Sequence, residues 1–258
     1  MKYKTIDFSK YSSIKIGQEV DILVVEEDDK IPDEHFIIGG ANNLLVSPNP
    51  PPLMMLGKSF DYISIKDNYL EVGCATKTGR LLSFVKKNNI ANFEFIAKLP
   101  GTIGGMLAMN AGVKSYEIFN HVIEVEIDGK WVKKEDIEHG YRFANLGGVA
   151  TRVRLNLEQG YSQELKDELI KLRNNQPKEP SAGSAFKNPE GDYAGRLIEE
   201  VGLKGKRIGD MAFSQVHANF LVNLGNGTYE DAIALIELAK ERVYKRFNLL
   251  LKEEIKII

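Results

Sequence analysis

The sequence has 258 residues, of which 43% are hydrophobic and 27% charged, with 34 Lys plus Arg against 36 Asp plus Glu for a formal net charge of −2. That length and mix describe one large or two modest globular domains with a sizeable core, and they exclude a disordered, collagenous or coiled-coil chain. The balanced charge has no basic block and so no electrostatic footprint for nucleic acid. A single cysteine, Cys74, excludes an internal disulfide and suits a reducing compartment. Neither a signal peptide nor a run of about 18 apolar residues is present, so a cytoplasmic protein with no membrane partner is expected.

In chain order, Val20 to Val25, Phe36 to Ile38, Tyr62 to Ile65 and Leu70 to Val72 are short β-branched or aromatic runs that read as strands. Lys77 to Asn89 carries Leu81, Leu82, Phe84 and Val85 at helical spacing. Val122 to Ile127, Asp128-Gly129 and Trp131-Val132 form a hairpin signal, because Asp-Gly tolerates the positive φ angles of a tight turn. Thr151, Val153, Leu155 and Leu157 alternate with polar residues at the period of a half-buried strand.

From about residue 160 the pattern becomes more helical. Gln163 to Asn174 reads as a helix stopped by Pro177 and Pro180. Asp192 is placed to cap a helix through Val201, with Gly202 as its left-handed terminator. Thr228 and Asp231 resemble a capping box at the head of a long helix. His217 to Val222 and Leu249 to Ile258 read as strands. The domain boundary is expected between Leu157 and Gln163, and the fold class is α+β.

Three segments are richer in glycine and small polar residues than folding alone requires. Gly39-Gly40-Ala41-Asn42-Asn43-Leu44 follows a strand, and its N–H groups could converge on an anion; a simple tight turn is the rival account. Pro100-Gly101-Thr102-Ile103-Gly104-Gly105 runs on to Asn110-Ala111-Gly112. It is too apolar for a surface loop and too small to fill a core, which suits either main chain approaching a planar ligand or close helix-on-sheet packing. In the third, Ser184, Lys187 and Asn188 lie within five positions beside Gly183, a set suited to a sugar or pyrophosphate. The dinucleotide fingerprint, the P-loop and the Gly-x-Ser-x-Gly elbow all fail on spacing, and the four histidines have no metal-ligand arrangement.

Taken in order, Gly39 to Leu45, Pro100 to Gly112, Tyr141-Arg142, Gly183 to Pro189 and Ser214-Gln215-Val216-His217-Ala218-Asn219-Phe220 resemble the UDP-N-acetylenolpyruvoylglucosamine reductase family. The resemblance runs from about Ser13 to Ile258. It implies a vanillyl-alcohol-oxidase-type FAD-binding region over 1–158, in lobes of about 1–55 and 56–158, and a substrate-binding domain over 159–258. It further implies non-covalent FAD held by Gly39, Gly40, Ala41, Asn42, Asn43, Leu44, Pro100, Gly101, Gly104, Gly105, Asn110, Ala111 and Gly112, with NADPH as co-substrate. Catalytic roles then fall to Arg142, Ser184 and Glu254, and nucleotide-sugar contacts to Tyr141, Lys187 and Asn188. The implied protein is a monomeric reductase of peptidoglycan precursor synthesis.

Some of this stays open on the residues alone. Strand parity makes Glu254 solvent-exposed, and the neighbouring Glu253 is also a candidate for the acidic role, Glu254 being chosen by the resemblance. The first loop lacks the family's further glycine and serine, and Val113-Lys114-Ser115-Tyr116 replaces a more glycine-rich stretch. The short interval from Arg142 to Ser184, 184 − 142 = 42 residues, implies the subclass without a substrate-covering tyrosine loop. A related FAD oxidase and a non-catalytic nucleotide-sugar binder are the competing readings.

Overall fold

The structure is a computed structural model, and residues 2–258 are described. The helices are α1 (Phe8–Tyr11), α2 (Thr78–Lys87), α3 (Ile103–Ala108), α4 (Gln163–Lys171), α5 (Ala194–Glu200) and α6 (Tyr229–Phe247). A four-stranded sheet takes the order Lys2–Asp7, Glu19–Val25, Leu53–Leu56, Phe36–Ile37, and its last two pairings are parallel. The secondary structure is α+β, as expected. No helix among the described residues is long and apolar enough to cross a membrane.

The chain divides into two compact units. The first is built mainly from Ile22–Gly40 and Pro52–Asn174; the second from Thr5–Asp21, Ala41–Pro51 and Asn175–Ile258. Each therefore collects segments that are distant in sequence.

The first unit centres on a five-stranded antiparallel sheet in the order Lys130–Lys133, Val122–Ile127, Ala150–Asn156, Tyr69–Gly73, Ile63–Ile65. Val125 pairs with Val132 and Val153, so the alternation seen in the sequence buries one face of the sheet. The hairpin turns on Asp128 at φ +48° and Gly129 at φ +77°, the pair of left-handed residues that the strand twist favours. Leu81 and Val85 of α2 and Ile103, Met106 and Leu107 of α3 cover this face together with Phe93, Phe95 and Phe119. Each fully buried phenylalanine contributes roughly 1.5–3 kcal/mol.

The second unit holds the sheet Ser181–Ser184, Phe220–Asn223, Met211–Phe213, Arg207–Ile208. Leu197 and Ile198 of α5 and Leu235, Ile236, Ala239 and Val243 of α6 pack with Phe186, Met211 and Phe213. The capping box of α6 is present: Thr228 Oγ1 accepts from Asp231 N–H at 3.1 Å, and Asp231 accepts in return from Thr228 N–H at 3.2 Å. Residues from early in the chain join this unit, as where the buried Asn223 amide donates to the Ile14 carbonyl at 3.1 Å.

Several local expectations need correction. Tyr193, not Asp192, is the N-cap of α5; the Asp192 carboxylate turns to Tyr193 N–H and to Arg196, while Asn188 Oδ1 accepts from Ala194 N–H at 3.1 Å. The strand placed at His217 begins at Phe220, because Phe220 N–H donates to the His217 carbonyl and closes a turn there. Of Leu249 to Ile258, only Lys256–Ile257 is a strand, parallel to Leu44–Leu45. Bends at Glu254 and Ile255 interrupt the strand, and Glu254 is half-buried instead of solvent-exposed, while Leu251 and Ile255 are both in the core.

Candidate active site

In the second unit, Gly183 has φ +80°. Ser181 pairs with Val222 and Ser184 with Phe220, so a step of 184 − 181 = 3 opposes a step of 222 − 220 = 2. The extra residue is a β-bulge, a device that bends a strand and re-aims the side chain beside it. Ser184 accordingly lines a cavity of about 490 Å³ with Asn188, Gly195, His217 and Asn219. A Cβ at position 195 would lie 3.2 Å from the His217 ring, so Gly195 lets this ring pack closely on α5.

Asn219, 3% exposed, holds the chain just past Ser184. Its carbonyl accepts from Ala185 N–H at 2.7 Å, its Oδ1 from Phe186 N–H at 3.0 Å, and its Nδ2 donates to the Phe186 carbonyl at 2.7 Å. His217 Nδ1 accepts from Asn219 N–H at 3.3 Å, which leaves the proton of a neutral ring on Nε2. Burial keeps this imidazole below its ordinary pKa. Neither residue was singled out as a site residue in the sequence, although both lie in the Ser214–Phe220 segment that carries the family resemblance.

The segment after Ser184 runs antiparallel to the C-terminal segment. Glu254 N–H donates to the Ala185 carbonyl at 2.9 Å, Lys187 N–H to the Lys252 carbonyl at 2.9 Å, and Phe186 bridges Glu253. The Glu254 carbonyl also accepts from Asn43 Nδ2 at 2.9 Å, tying the first loop to this strand pair. Burial, and after it the charge of Lys256, pull the Lys187 ammonium below its usual value, and Glu254 opposes them. Ser184, Lys187, Asn188, Glu254 and Asn43 are thus assembled within one unit.

In the first unit Arg142 sits at φ +57°, a left-handed conformation that costs a branched or long side chain energy and needs surrounding support. Its Nη2 donates to the Gly112 carbonyl at 3.0 Å and its Nη1 lies 3.6 Å from Glu117 Oε1. Glu117 Oε2 accepts from Asn110 Nδ2 at 2.8 Å, and the same amide donates to the Gly140 carbonyl at 3.0 Å. Asn110, 2% exposed, therefore ties the second glycine segment to the Tyr141-Arg142 turn. Tyr141 is exposed, its ring 5.1 Å from the Arg142 guanidinium carbon.

The second glycine segment does two jobs. Thr102 caps α3, accepting from Gly105 N–H at 3.3 Å, while Ile103 and Gly104 N–H donate to the Thr76 and Cys74 carbonyls. A Cβ on Gly104 would lie 3.2 Å from Cys74, so this glycine serves close helix-on-strand packing. Gly105 is exposed, with little around it. Gly39 backs onto Thr102, whose hydroxyl a Cβ at 39 would overlap, so the two segments touch. Burial drives the Cys74 thiol well above its ordinary pKa, and nearby Glu126 adds to that, as suits a packed side chain rather than a nucleophile.

Residues 176–258 match the family model described as UDP-N-acetylenolpyruvoylglucosamine reductase, C-terminal domain. Similar curated proteins include the UDP-N-acetylenolpyruvoylglucosamine reductases of Helicobacter hepaticus, 46% identical with 100% of both chains covered, and Campylobacter jejuni, 45% identical with 98% of this chain and 99% of the relative. The crystal structure of UDP-N-acetylenolpyruvylglucosamine reductase from Thermus caldophilus superposes with a TM-score of 0.87 at 30% identity, covering 100% of this chain and 99% of that one. With full-length identity at this level, and with the same fold in a solved relative, the chain belongs to the UDP-N-acetylenolpyruvoylglucosamine reductase family.

Proposed function

We propose that this chain is a flavoenzyme that uses NADPH to reduce the enolpyruvyl group of UDP-N-acetylglucosamine enolpyruvate to UDP-N-acetylmuramate, a cytoplasmic step of peptidoglycan precursor synthesis. The observation that carries this reading is the Gly183 bulge, which presents the Ser184 hydroxyl to a cavity of about 490 Å³.

The first loop fits the pyrophosphate of FAD. The N–H groups of Gly40, Ala41 and Asn42 donate to no backbone carbonyl of the described residues, and Ala41 at φ +49° breaks the run so that such groups can converge. The exposed Gly105 lets main chain approach a flat ring. We assign FAD binding to these segments within 1–158 and nucleotide-sugar binding to 159–258. FAD, when bound, supplies the redox centre through which hydride passes from NADPH to the terminal vinyl carbon of the substrate.

Charge then develops on the adjacent carbon and spreads into the carboxylate. Arg142 carries a positive guanidinium, so its part is to hold that carboxylate and stabilise the charge. Ser184 Oγ delivers the proton to the carbon; a hydroxyl is a weak acid, but a carbanion is a strong enough base to take its proton when the two are positioned. Glu254, pushed toward its neutral form by a substrate carboxylate, hydrogen-bonds instead of repelling. Lys187, Asn188 and Tyr141 meet the nucleotide sugar.

The reading is tested by incubating purified protein with NADPH and the enolpyruvyl nucleotide. One NADPH should be consumed for each UDP-N-acetylmuramate formed, identified by mass. Oxygen consumption with a hydroxylated substrate and indifference to NADPH would instead point to an oxidase.

A further inference from the structure

Tyr193 and Val216, 69% and 55% exposed, are among the most exposed apolar side chains of the protein, and both line the cavity that holds Ser184. A single apolar group in water needs no explanation, but two on one cavity beside the polar groups of Ser184, Asn188 and His217 have the make-up of a ligand surface. The main chain under both is held firmly. Tyr193 is the N-cap of α5: its N–H donates to Asp192 Oδ1 at 2.7 Å, and its carbonyl accepts from Leu197 N–H at 3.1 Å. The next residue, Ala194, is buried and donates its N–H to Asn188 Oδ1 at 3.1 Å, which ties this cap to the segment after Ser184. Val216 N–H donates to Ser214 Oγ at 3.0 Å. The two segments adjoin, since a Cβ on Gly195 would lie 3.2 Å from the His217 ring. Arg196 turns to the Asp192 carboxylate and, at 5.6 Å, to the Phe247 ring, and so leaves the Tyr193 ring open.

We propose that Tyr193, with Val216 beside it, is the platform on which the uracil ring of the nucleotide sugar stacks, and so a specificity-determining residue. This rests on the functional reading above. The enolpyruvyl group, sugar, diphosphate and ribose of that substrate have no aromatic face; the uracil alone can lay one on a phenol ring. Uracil is also the end of the molecule farthest along its bonds from the vinyl carbon, and Tyr193 and Val216 are exposed where Ser184 is partly buried. A ring already fixed by its backbone loses little freedom when a base settles on it. The stack forms before reduction and persists through it, so its loss raises KM and leaves kcat nearly unchanged.

The test uses wild-type, Tyr193→Ala and Tyr193→Phe holoenzyme. Binding of the enolpyruvyl nucleotide is read from the absorbance change of the oxidised flavin. The NADPH-reduced enzyme is then mixed anaerobically with that nucleotide, or with enolpyruvyl N-acetylglucosamine phosphate, which keeps the reacting group and lacks uridine. The second-order rate constant for flavin reoxidation needs no saturation, so it can be compared even for the weaker compound. Tyr193→Ala should weaken binding of the full nucleotide, and lower its second-order rate constant, on the order of 5- to 100-fold, the range for losing one base–aromatic stack. Tyr193→Phe keeps the ring and should stay within about twofold of wild type. The compound without uridine should react equally with all three proteins. Equal slowing of both compounds, loss in Tyr193→Phe as large as in Tyr193→Ala, or unchanged affinity for the full nucleotide would each overturn the proposal. So would a raised NADPH requirement for flavin reduction with the nucleotide unaffected, which would give the ring to NADPH. If wild type neither binds nor reduces the enolpyruvyl nucleotide, it is the functional reading that falls.

Discussion

Glu253 Oε1 accepts from Lys240 Nζ of α6 at 2.8 Å, while its neighbour Glu254 shares the strand pair that carries Ser184 and Lys187. That pairing commits Glu253 to a structural contact, and the proposed function gives the acidic role to Glu254. Both partners in the ion pair are about 31% exposed. Glu253→Gln should therefore cost about 0.5–1 kcal/mol in a denaturant titration and leave turnover within about twofold. Glu254→Gln should lower turnover on the order of 100-fold or more. Burial raises the Glu253 carboxyl pKa, yet the Lys240 hydrogen bond and charge outweigh it and hold it below the ordinary glutamate value of 4.5. The stabilisation is thus present above about pH 4.5 and fades as pH falls through the lower folded-state value. Glu253→Gln should remove that part of the acid sensitivity.

Ser184→Ala should separate the two halves of the reaction. Flavin reduction by NADPH should proceed as in wild type, since it involves no proton from Ser184. Transfer to the enolpyruvyl nucleotide should slow by roughly 10²–10⁴-fold. Rapid-mixing absorbance would read both, and a variant that performs both halves normally would remove Ser184 from the proton step.

Two half-buried imidazoles make stability depend on mildly acid pH. His121, between Phe93 and Phe95, and His217, beside Ser184 in the cavity, are each kept by burial below the ordinary histidine value of 6.5. The unfolded chain then binds more protons than the folded one, so stability should be full above about pH 6.5 and fall as pH drops through the folded values. Urea titrations from pH 8 to 5 should show this decline. His121→Gln should flatten it, and an unchanged slope would show that His121 does not contribute.

Glycine roles predict opposite signs. Gly79 lies in α2, where an added Cβ would meet no atom within 4 Å, so Gly79→Ala should stabilise by about 0.5–1 kcal/mol. At Gly112 a Cβ would overlap the Tyr116 carbonyl, and the Gly112 carbonyl is also the Arg142 acceptor. Gly112→Ala should cost about 2 kcal/mol or more and lower activity with it. Thermal melts of both variants would check the contrast.

Local chemistry made part of this fold legible. Asp128-Gly129, the Thr228 capping box and Gly202 at φ +71° each specify backbone within a few residues, and each stands where sequence places it. Strands such as Lys2–Asp7 and Leu53–Leu56 and the six-residue helix α3 escaped because short apolar runs carry no period that separates strand from helix. The assembly of Thr5–Asp21 and Ala41–Pro51 with Asn175–Ile258 depends on contacts distant in sequence, for which one sequence holds no signal. At the site, Ser184 and Arg142 came from motif resemblance. Parity misread Glu254 because the C-terminal segment bends instead of running as one strand. The part Asn219 plays in holding the chain past Ser184 shows only in what it touches in three dimensions.

An anaerobic absorbance titration of the purified protein tests the flavin-dependent reduction most directly. The expected result is a yellow protein whose flavin band bleaches with NADPH and returns on adding one equivalent of the enolpyruvyl nucleotide, with UDP-N-acetylmuramate as the product. A protein that stays colourless after incubation with FAD, or a reduced flavin that the enolpyruvyl nucleotide leaves bleached, would contradict it.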